Sequence, residues 1–287
     1  MRIAWVTDST AYIEDLSACK EKNVFVVPMN ILFGEKEYKD GIDLSPQDLF
    51  EKLKEEKVEV KTSQPSIGTF KELYEELAGR YDHIFSIHVS SHFSGTMSSA
   101  YQAAELLSDT FPSITCIDSK TLTYPLTELI EYGQTLHEKG KSIEEMTKSI
   151  EEKIKTREVY VMVGSLEQLH KSGRMNGLSF FLGSVLNIKP ILSIVDGKLE
   201  VYDKVRSINK GLSKMSKQLS ESLKTKKIKK VSILHGLNHE EAAEWMEELK
   251  KSYPDIEFGA YPLGAVIDVH AGANTIGISW SEDIGQA

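Results

Sequence analysis

The sequence has few of the features that would place it in a specialised class of protein. Its 287 residues contain only two cysteines, and Cys19 and Cys116 form no CxxC pair, so we expect no disulfide framework. No apolar run approaches the ~20 residues that a membrane-spanning helix needs. The formal net charge is −9 at pH 7, which argues against a nucleic-acid-binding surface, because such surfaces cluster lysine and arginine. We therefore expect a cytoplasmic globular protein with no nucleic-acid partner and no integral membrane segment.

The common signatures of nucleotide and metal chemistry are also missing. The chain has no G-x-x-x-x-G-K-[ST] loop, no G-x-G-x-x-G, no G-x-S-x-G elbow and no H-E-x-x-H. Two histidine pairs are spaced four residues apart, His88 with His92 and His235 with His239. That spacing suits a metal on a helix, but both pairs straddle the end of a predicted strand. We expect ordinary polar loop histidines there, and neither a metal nor another cofactor.

The order of the predicted elements indicates two domains, as the length of 287 residues also suggests. In residues 1–157 strands alternate with helices, which predicts a mostly parallel sheet flanked by helices. Residues 158–287 indicate an α+β domain with a mixed sheet, because Asp196-Gly197 is a strong hairpin signal. The predicted fold class is therefore α/β with two domains.

Two local signals are specific enough to test. Ser142 and Glu145 are spaced as in a capping box, which predicts a helix that begins between them. Residues 23–33 indicate a buried strand, and Pro28 within it predicts a sheet edge or an irregularity.

The junction between an apolar strand and a helix at Ser94-Gly95-Thr96 is the first candidate site. Residues 84–90 alternate as a strand does, and a helical pattern begins at Thr96. A helix begins with unpaired N–H groups and the positive end of its dipole, so hydroxyls and a glycine there could bind an anion. Capping of the helix explains the same residues, and both interpretations stay open.

Other candidates are the hydroxyls of Thr62 and Ser63 ahead of a predicted helix and the isolated His270. Hydroxyls and helix starts suit a carboxylate or a phosphate. A segment that is apolar on most of its sides could cover a long chain behind such a head group, or could be plain core. Its residues are Leu178, Phe180, Phe181, Leu182 and Val185.

Eight motifs occur in order along the whole chain: VTDST, YKDGIDLS, TSQPS, SSHFSGTMSSA, IDSK, SLEQLHKSGRMNG, LGSVLNIKPILSIVDGKLEVYDKVRS and VHAG. In this order they resemble the DegV family of bacterial fatty-acid-binding proteins. The resemblance implies a two-domain α/β protein that encloses a fatty acid between its domains. It also implies a non-catalytic, acyl-carrying subunit of a fatty acid kinase system that serves phospholipid metabolism, with the ATP-dependent kinase as a separate partner protein.

Carried over motif by motif, the resemblance assigns roles to four residues. Thr62 of TSQPS and Ser94 of the SGT motif would bind the fatty-acid carboxylate, and His270 would lie near the head group. Arg206 of KVRS would take part in phosphotransfer with the partner. The bound fatty acid would be the ligand, and no catalytic residue is implied in this chain.

The closing motif departs from the family pattern H-x-G-P-G. This chain has Ala273 and Asn274 where the proline and the second glycine usually stand, which predicts a changed backbone path beside the head group or a changed fit to the kinase. Two rival functions stay open. One is a serine hydrolase or acyltransferase with Ser94 as nucleophile and His270 as base; the other is a lipid carrier or sensor with no kinase partner.

Overall fold

The structure is a computed structural model, and it describes residues 1–285 except 16–18, 20, 45–47, 50, 53–59, 112 and 176–187. The described strands are β1 (Ile3–Asp8), β2 (Val24–Val27), β3 (Asn30–Phe33), β4 (Lys36–Lys39), β5 (Val60–Ser63), β6 (His83–His88), β7 (Ile114–Asp118), β8 (Glu158–Met162), β9 (Lys189–Val195), β10 (Lys198–Val205), β11 (Lys230–His235), β12 (Glu257–Pro262) and β13 (Ile276–Trp280). The described helices are α1 (Ile67–Ala78), α2 (Thr96–Leu106), α3 (Tyr124–Glu138), α4 (Ile143–Thr156), α5 (Leu166–Lys171), α6 (Ile208–Ser222), α7 (His239–Ser252) and α8 (Ala265–Ala271).

The first sheet is parallel, with the strand order β2-β1-β6-β7. Every residue of β1 and β6 is buried, as expected for central strands that are covered on both faces. Ala4 and Val6 pack with α1 and α2, whereas Ile3 and Trp5 pack with α3 and α4 on the opposite face. The predicted parallel sheet flanked by helices is confirmed.

The second sheet is mixed, with the order β10-β9-β8-β13-β11-β12. β11 and β12 run parallel, and the other described neighbours run antiparallel. The hairpin of β9 and β10 turns at Asp196 and Gly197, whose φ angles are 46° and 81°, as a tight hairpin turn requires. Helices α6 and α7 cover one face of this sheet. The predicted mixed sheet in the second half is therefore also confirmed.

A third, small antiparallel sheet with the order β4-β3-β5 was not predicted. It arises because the expected strand over residues 23–33 divides in two: β2 joins the first sheet, Pro28 and Met29 follow, and β3 joins the small sheet. Helix α8 packs Val266 and Val269 against Ile31 and Phe33 of β3. The small sheet thus carries an element from the first half of the chain into contact with one from the second half.

Several other expectations can be compared with the structure. The capping box is confirmed, since Ser142 and Glu145 exchange side-chain to backbone hydrogen bonds at the start of α4. The expectation of a polar loop histidine at His88 is wrong, because His88 is the last residue of β6 and is fully buried. The boundary at residues 157/158 lies between α4 and β8, and it stays a prediction.

Within the ranges given above, no helix is long and apolar enough to cross a membrane. The same part of the chain contains no group of three or more histidine, cysteine, aspartate or glutamate side chains that could hold a metal ion.

Candidate functional site

An apolar cavity lies between the second sheet and the first half of the chain. Successive side chains of a strand point to opposite faces, and Tyr160 and Met162 of β8 point into the core under α6 and α7. The intervening side chains therefore line the cavity, together with side chains of β9, β10 and β11. Apolar lining residues include Val159, Val161, Val163, Ile194, Leu199 and Leu234.

Polar side chains from separate segments meet in one part of this wall. Thr62 comes from β5, Ser94 from the turn before α2, Arg174 from the loop after α5, and His270 from α8. The strand of Thr62 and the turn of Ser94 lie close together, because a β-carbon added to Gly95 would lie 2.8 Å from Nε2 of Gln64. The structure thus places Thr62, Ser94 and His270 on one cavity, while their role as carboxylate ligands stays a prediction.

Thr62 and His270 are in direct contact. The Thr62 Oγ1 lies 2.7 Å from Nε2 of His270, and Nδ1 of the same ring is buried without a hydrogen-bond partner among the described residues. Burial, with a smaller contribution from the charge of Arg174, lowers the pKa of His270 to about 4. The imidazole is therefore neutral at pH 7, and Thr62 can receive or donate one proton in this hydrogen bond depending on the ring tautomer.

The sequence of the turn that carries Ser94 left two interpretations open, a helix cap and part of a binding site, and the contacts of Ser94 are compatible with both. Helix α2 begins at Thr96 with Gly95 as N-cap residue, and the N-cap makes no side-chain hydrogen bond. Ser94 Oγ lies 2.8 Å from Thr96 Oγ1 and accepts a hydrogen bond of 3.3 Å from Thr96 N. The hydroxyl thus supports the start of the helix and also lines the cavity.

Buried polar residues hold the end of β6, from which the chain leads into this turn. The carboxylate of Asp8 accepts hydrogen bonds from Val89 N at 2.9 Å and from the Thr10 hydroxyl at 2.6 Å, and it lies 3.1 Å from Nδ1 of His88. Complete burial raises the pKa of Asp8, but the interactions with His88 and the hydrogen bonds from Thr10 and Val89 together outweigh it, so the pKa is lowered. Since Thr10 and Val89 line the cavity, Asp8 positions part of its wall.

Arg174 also lines the cavity, although the sequence predicted no site role for it. Its Nε donates to the carbonyl oxygen of Phe93 at 3.1 Å, and its Nη1 donates to that of Ser172 at 2.5 Å. Burial lowers the pKa of Arg174, yet a guanidinium stays charged in proteins. Arg174 therefore supplies a positive charge beside His270. The sequence indicates Arg174 and Arg206 as two arginines of the second half, but a role was implied only for Arg206.

The segment after His270 is held closely against the start of α5. Ser165 N donates to the Ala271 carbonyl oxygen at 2.9 Å, and Gly164 N donates to Thr275 Oγ1 at 2.9 Å. Gly272 has a φ of 87°, and a β-carbon there would lie 2.8 Å from Ser165 N. Within this segment the Ala273 carbonyl accepts a hydrogen bond of 2.7 Å from Leu237 N. The effect of the departure at Ala273 and Asn274 on ligand or partner stays a prediction.

The structure does not place Arg206 on the cavity, and it does not describe the residues of the predicted tail pocket. Arg206 is exposed, directly follows β10, and is not among the described residues that line the cavity. The predicted tail-pocket residues fall within 176–187 and so lie outside the described part of the chain: Leu178, Phe180, Phe181, Leu182 and Val185.

Taken together, the described wall can hold an elongated apolar molecule with an anionic end. Hydroxyls of Thr62 and Ser94 can donate to an anion, and the Arg174 guanidinium can neutralise it. The valines and leucines along the sheet offer no polar partner, so the rest of the ligand must be hydrocarbon-like.

The chain is similar to known proteins over nearly its whole length. The family model of the uncharacterised DegV proteins matches residues 2–283. Protein DegV of Bacillus subtilis is 35% identical over 285 residues, covering 98% of this chain and 99% of the relative.

Solved structures give the same result over nearly the full length. A fatty-acid-binding DegV from Bacillus subtilis matches with a TM-score of 0.88 and 34% identity, covering 98% of this chain and 99% of that one. A DegV family protein from Thermus thermophilus, described for its fatty acid binding, matches with a TM-score of 0.90 and 29% identity, covering 98% of this chain and 100% of that one. A stearic-acid-binding protein from Eubacterium ventriosum matches with a TM-score of 0.86 and 26% identity over 98% of each chain. The chain belongs to the DegV family.

Proposed function

We propose that this protein binds a long-chain fatty acid in the cavity and presents the carboxylate to a separate ATP-dependent kinase. One observation carries the proposal: the wall of the cavity is mainly apolar, and four polar side chains lie together on it. They are Thr62, Ser94, Arg174 and His270. Relatives of the same fold are described as fatty-acid-binding proteins, which supports the same class of ligand here.

The hydrocarbon tail supplies most of the affinity. A chain of about sixteen carbons buried at roughly 0.8 kcal/mol per methylene contributes on the order of 12 kcal/mol before any cost. Association costs about 4 to 15 kcal/mol, so nearly complete burial of the tail is needed for tight binding. Each hydrogen bond to the carboxylate contributes roughly 1.5 to 3 kcal/mol. Thr62 and Ser94 therefore mainly determine the direction and register of the chain.

A fixed register matters if the carboxylate is to be phosphorylated. A carboxylate oxygen would attack the terminal phosphoryl group of ATP on the kinase, giving an acyl phosphate here and ADP there. Negative charge builds up at the transferred group, and a positioned cation stabilises it. Arg174 lies near His270 and could serve that purpose, and Arg206, which is exposed, would act on the side of the partner protein.

The hydrolase alternative is less well supported by the contacts. A serine nucleophile needs its hydroxyl within hydrogen-bonding reach of the base, but Nε2 of His270 contacts Thr62 and the described hydrogen bonds of Ser94 go to Thr96 and Ser90. The described part of the chain also provides no acid hydrogen-bonded to His270. We therefore treat this chain as the acyl-carrying subunit and not as the catalyst.

Native mass spectrometry of the purified protein, followed by extraction and identification of the lipid, tests the proposal. A one-to-one adduct that extracts as free fatty acid supports it, and a covalent acyl adduct on Ser94 would support the hydrolase instead. Uptake of no fatty acid, even when one is added, would contradict both.

A second experiment tests the kinase step. Ser94→Ala is expected to lower acyl phosphate formation with the partner kinase at least about tenfold, because it removes one hydrogen bond to a charged group. Ser98→Ala, an exposed serine on the same helix, is the matched control. Equal activity of the two variants would contradict the head-group assignment, and no kinase in pull-downs from cells would favour a carrier or sensor.

A further inference from the structure

Three tyrosines from both halves of the chain meet beside the cavity. The rings of Tyr124 and Tyr261 are stacked, with their centroids 3.6 Å apart and an interplanar angle of 2°. Tyr12 meets the face of Tyr261 edge-on, at 5.4 Å and 61°. Tyr124 is the first residue of α3 and Tyr261 lies in β12, so this stack joins the first half of the chain to the edge of the second sheet.

The stack separates two different spaces. On one side Tyr124 packs in a cluster with Val159, Leu234 and Leu263, which line the apolar cavity. On the other side Tyr12, Tyr124 and Tyr261 line a cleft whose remaining wall is largely polar, including Glu14, Glu131 and Gln134. The rings are not among the described residues that line the cavity; they lie behind Val159, Leu234 and Leu263 and form a partition between that part of the wall and the polar cleft.

The position of the Tyr124 ring is determined by contacts on its polar side. Its hydroxyl donates to Glu131 at 2.9 Å and accepts from Nζ of Lys230 at 2.5 Å. Only 4% of Tyr124 is exposed. A ring that is buried and hydrogen-bonded in this way resists displacement, because moving it would leave charged partners unsatisfied.

The position of the Tyr261 ring depends on a glycine. Gly259 and Tyr261 lie on the same face of β12, since they are two residues apart in a strand. A β-carbon on Gly259 would lie 2.4 Å from the Tyr261 hydroxyl oxygen. The tyrosine can lie along its strand, with its ring flat against Tyr124, because no side chain occupies that place.

We propose that the Tyr124–Tyr261 stack is the stop that limits the length of the acyl chain, an inference that rests on the proposed fatty-acid binding. The polar residues of the cavity take the carboxylate, so the methyl end must stop against an apolar part of the wall. A chain long enough to pass the stack would have to push a ring into the polar cleft and expose methylenes there. The methyl end would meet Val159, Leu234 and Leu263, and the stack behind them is held by the hydrogen bonds of Tyr124 to Glu131 and Lys230.

The test compares chain-length selection of variant and parent. Each protein is offered an equimolar mixture of saturated fatty acids from about 14 to about 22 carbons, and the bound species are measured by native mass spectrometry and extraction. Tyr261→Ala removes one ring of the partition. We expect the ratio of the longest to the mid-length acids bound to rise about tenfold, which corresponds to two further buried methylenes.

Three variants make the outcome decisive. Tyr160→Ala removes a tyrosine of β8 that points to the opposite face of the second sheet and should leave the selected length unchanged. Tyr261→Phe keeps the ring and should also leave it unchanged. Tyr261→Leu retains an apolar side chain, and it replaces the alanine variant if that protein fails to fold.

The possible results separate this inference from the function on which it rests. If the parent protein binds fatty acids and folded Tyr261 variants keep the parental length distribution, the stack is not the stop. If the parent takes up no fatty acid of any length, the proposed function itself is wrong.

Discussion

The Thr62 hydroxyl oxygen lies 2.7 Å from Nε2 of His270, although the two residues are 208 positions apart in the sequence. Thr62 is on the small sheet of the first half, and His270 is on the helix of the second half that packs against this sheet. The hydrogen bond therefore couples the packing of the two halves to the polar end of the cavity.

Replacing Thr62 by valine tests this coupling. Valine keeps the shape of the side chain but leaves His270 without its described hydrogen bond, so we expect stability to fall by about 1 to 3 kcal/mol. Fatty-acid affinity should fall about ten- to a hundredfold, the equivalent of one hydrogen bond to a charged group. Thermal unfolding and displacement of a fluorescent fatty acid measure the two effects. Thr69→Val, the same change at an exposed helix start, should alter neither, and equal behaviour of both variants would refute the coupling.

The titration of His270 is a direct probe of its surroundings. Burial and then Arg174 lower its pKa from 6.5 to about 4, so the folded protein binds this proton less readily than the unfolded chain. The stability contributed by neutral His270 is lost as the pH falls from 6.5 to about 4. Proton NMR of the ring should show a midpoint near 4, and Arg174→Met should raise it by removing the nearby charge. A midpoint at the ordinary value in the parent protein would contradict the buried geometry.

Asp268 is expected to have the opposite pH dependence. Burial and then the charge of Asp40 raise the pKa of Asp268 to about 8, and its Oδ1 has no described hydrogen-bond partner. The folded state thus retains a proton that the unfolded chain releases near 3.8. The free energy of unfolding therefore falls as the pH rises from 3.8 to about 8. Asp268→Asn should remove this loss, on the order of a few kcal/mol.

Unfolding by denaturant at several pH values measures the effect of Asp268→Asn. The difference from the parent protein should grow towards pH 8, whereas Asp255→Asn, at an exposed position, should give a constant difference. A constant difference for both variants would show that Asp268 is ionised in the folded protein.

The hairpin of β9 and β10 contacts the first half of the chain through its turn. Gly197 has a φ of 81°, its carbonyl accepts a hydrogen bond of 2.8 Å from Ser90 Oγ, and a β-carbon there would lie 2.4 Å from that oxygen. Gly140 has a φ of 75° with nothing within 4 Å of such a carbon. Both alanine variants therefore cost about 1 kcal/mol in backbone strain, but Gly197→Ala must in addition displace the hairpin.

Hydrogen exchange distinguishes the two glycine variants. We expect Gly197→Ala to lose more stability than Gly140→Ala. It should also speed hydrogen exchange in residues 198–201, which include the cavity-lining Leu199. Equal destabilisation, with unchanged exchange in the hairpin, would show that the contact with Ser90 contributes little.

Arg206 provides a test of partner recognition that leaves the cavity intact. Because Arg206 is exposed and is not among the described lining residues, Arg206→Ala should bind fatty acid as the parent does but lose phosphorylation by the partner kinase. Arg80→Ala, another exposed arginine, should keep both activities. Reduced fatty-acid binding in Arg206→Ala would contradict the separation of these roles.

Features encoded by neighbouring residues were predictable from the sequence. The capping box of Ser142 and Glu145 and the hairpin at Asp196-Gly197 depend on spacings of a few residues, and the structure contains both. The parallel sheet could also be predicted, because strands buried on both faces and alternating with helices have a recognisable pattern.

Features that depend on distant contacts could not be predicted in the same way. Nothing near Arg174 in the sequence indicates that its guanidinium is buried beside His270, since the Phe93 carbonyl that holds it comes from another element. The small sheet was missed because β3 follows β2 after only Pro28 and Met29, and an apolar run does not reveal which sheet its strand joins.

The sequence by itself thus determined the local elements, the cover of helices on both faces of the first sheet and, through eight ordered motifs, the family. Only the tertiary structure decided that Thr62 contacts His270, that Arg174 faces the cavity, and that the rings of Tyr124 and Tyr261 stack. The physical reason is that helix caps and turns are stabilised by hydrogen bonds between near neighbours in sequence. A cavity between sheets is formed by side chains that packing brings together, and their separation in sequence carries no signal of their contact.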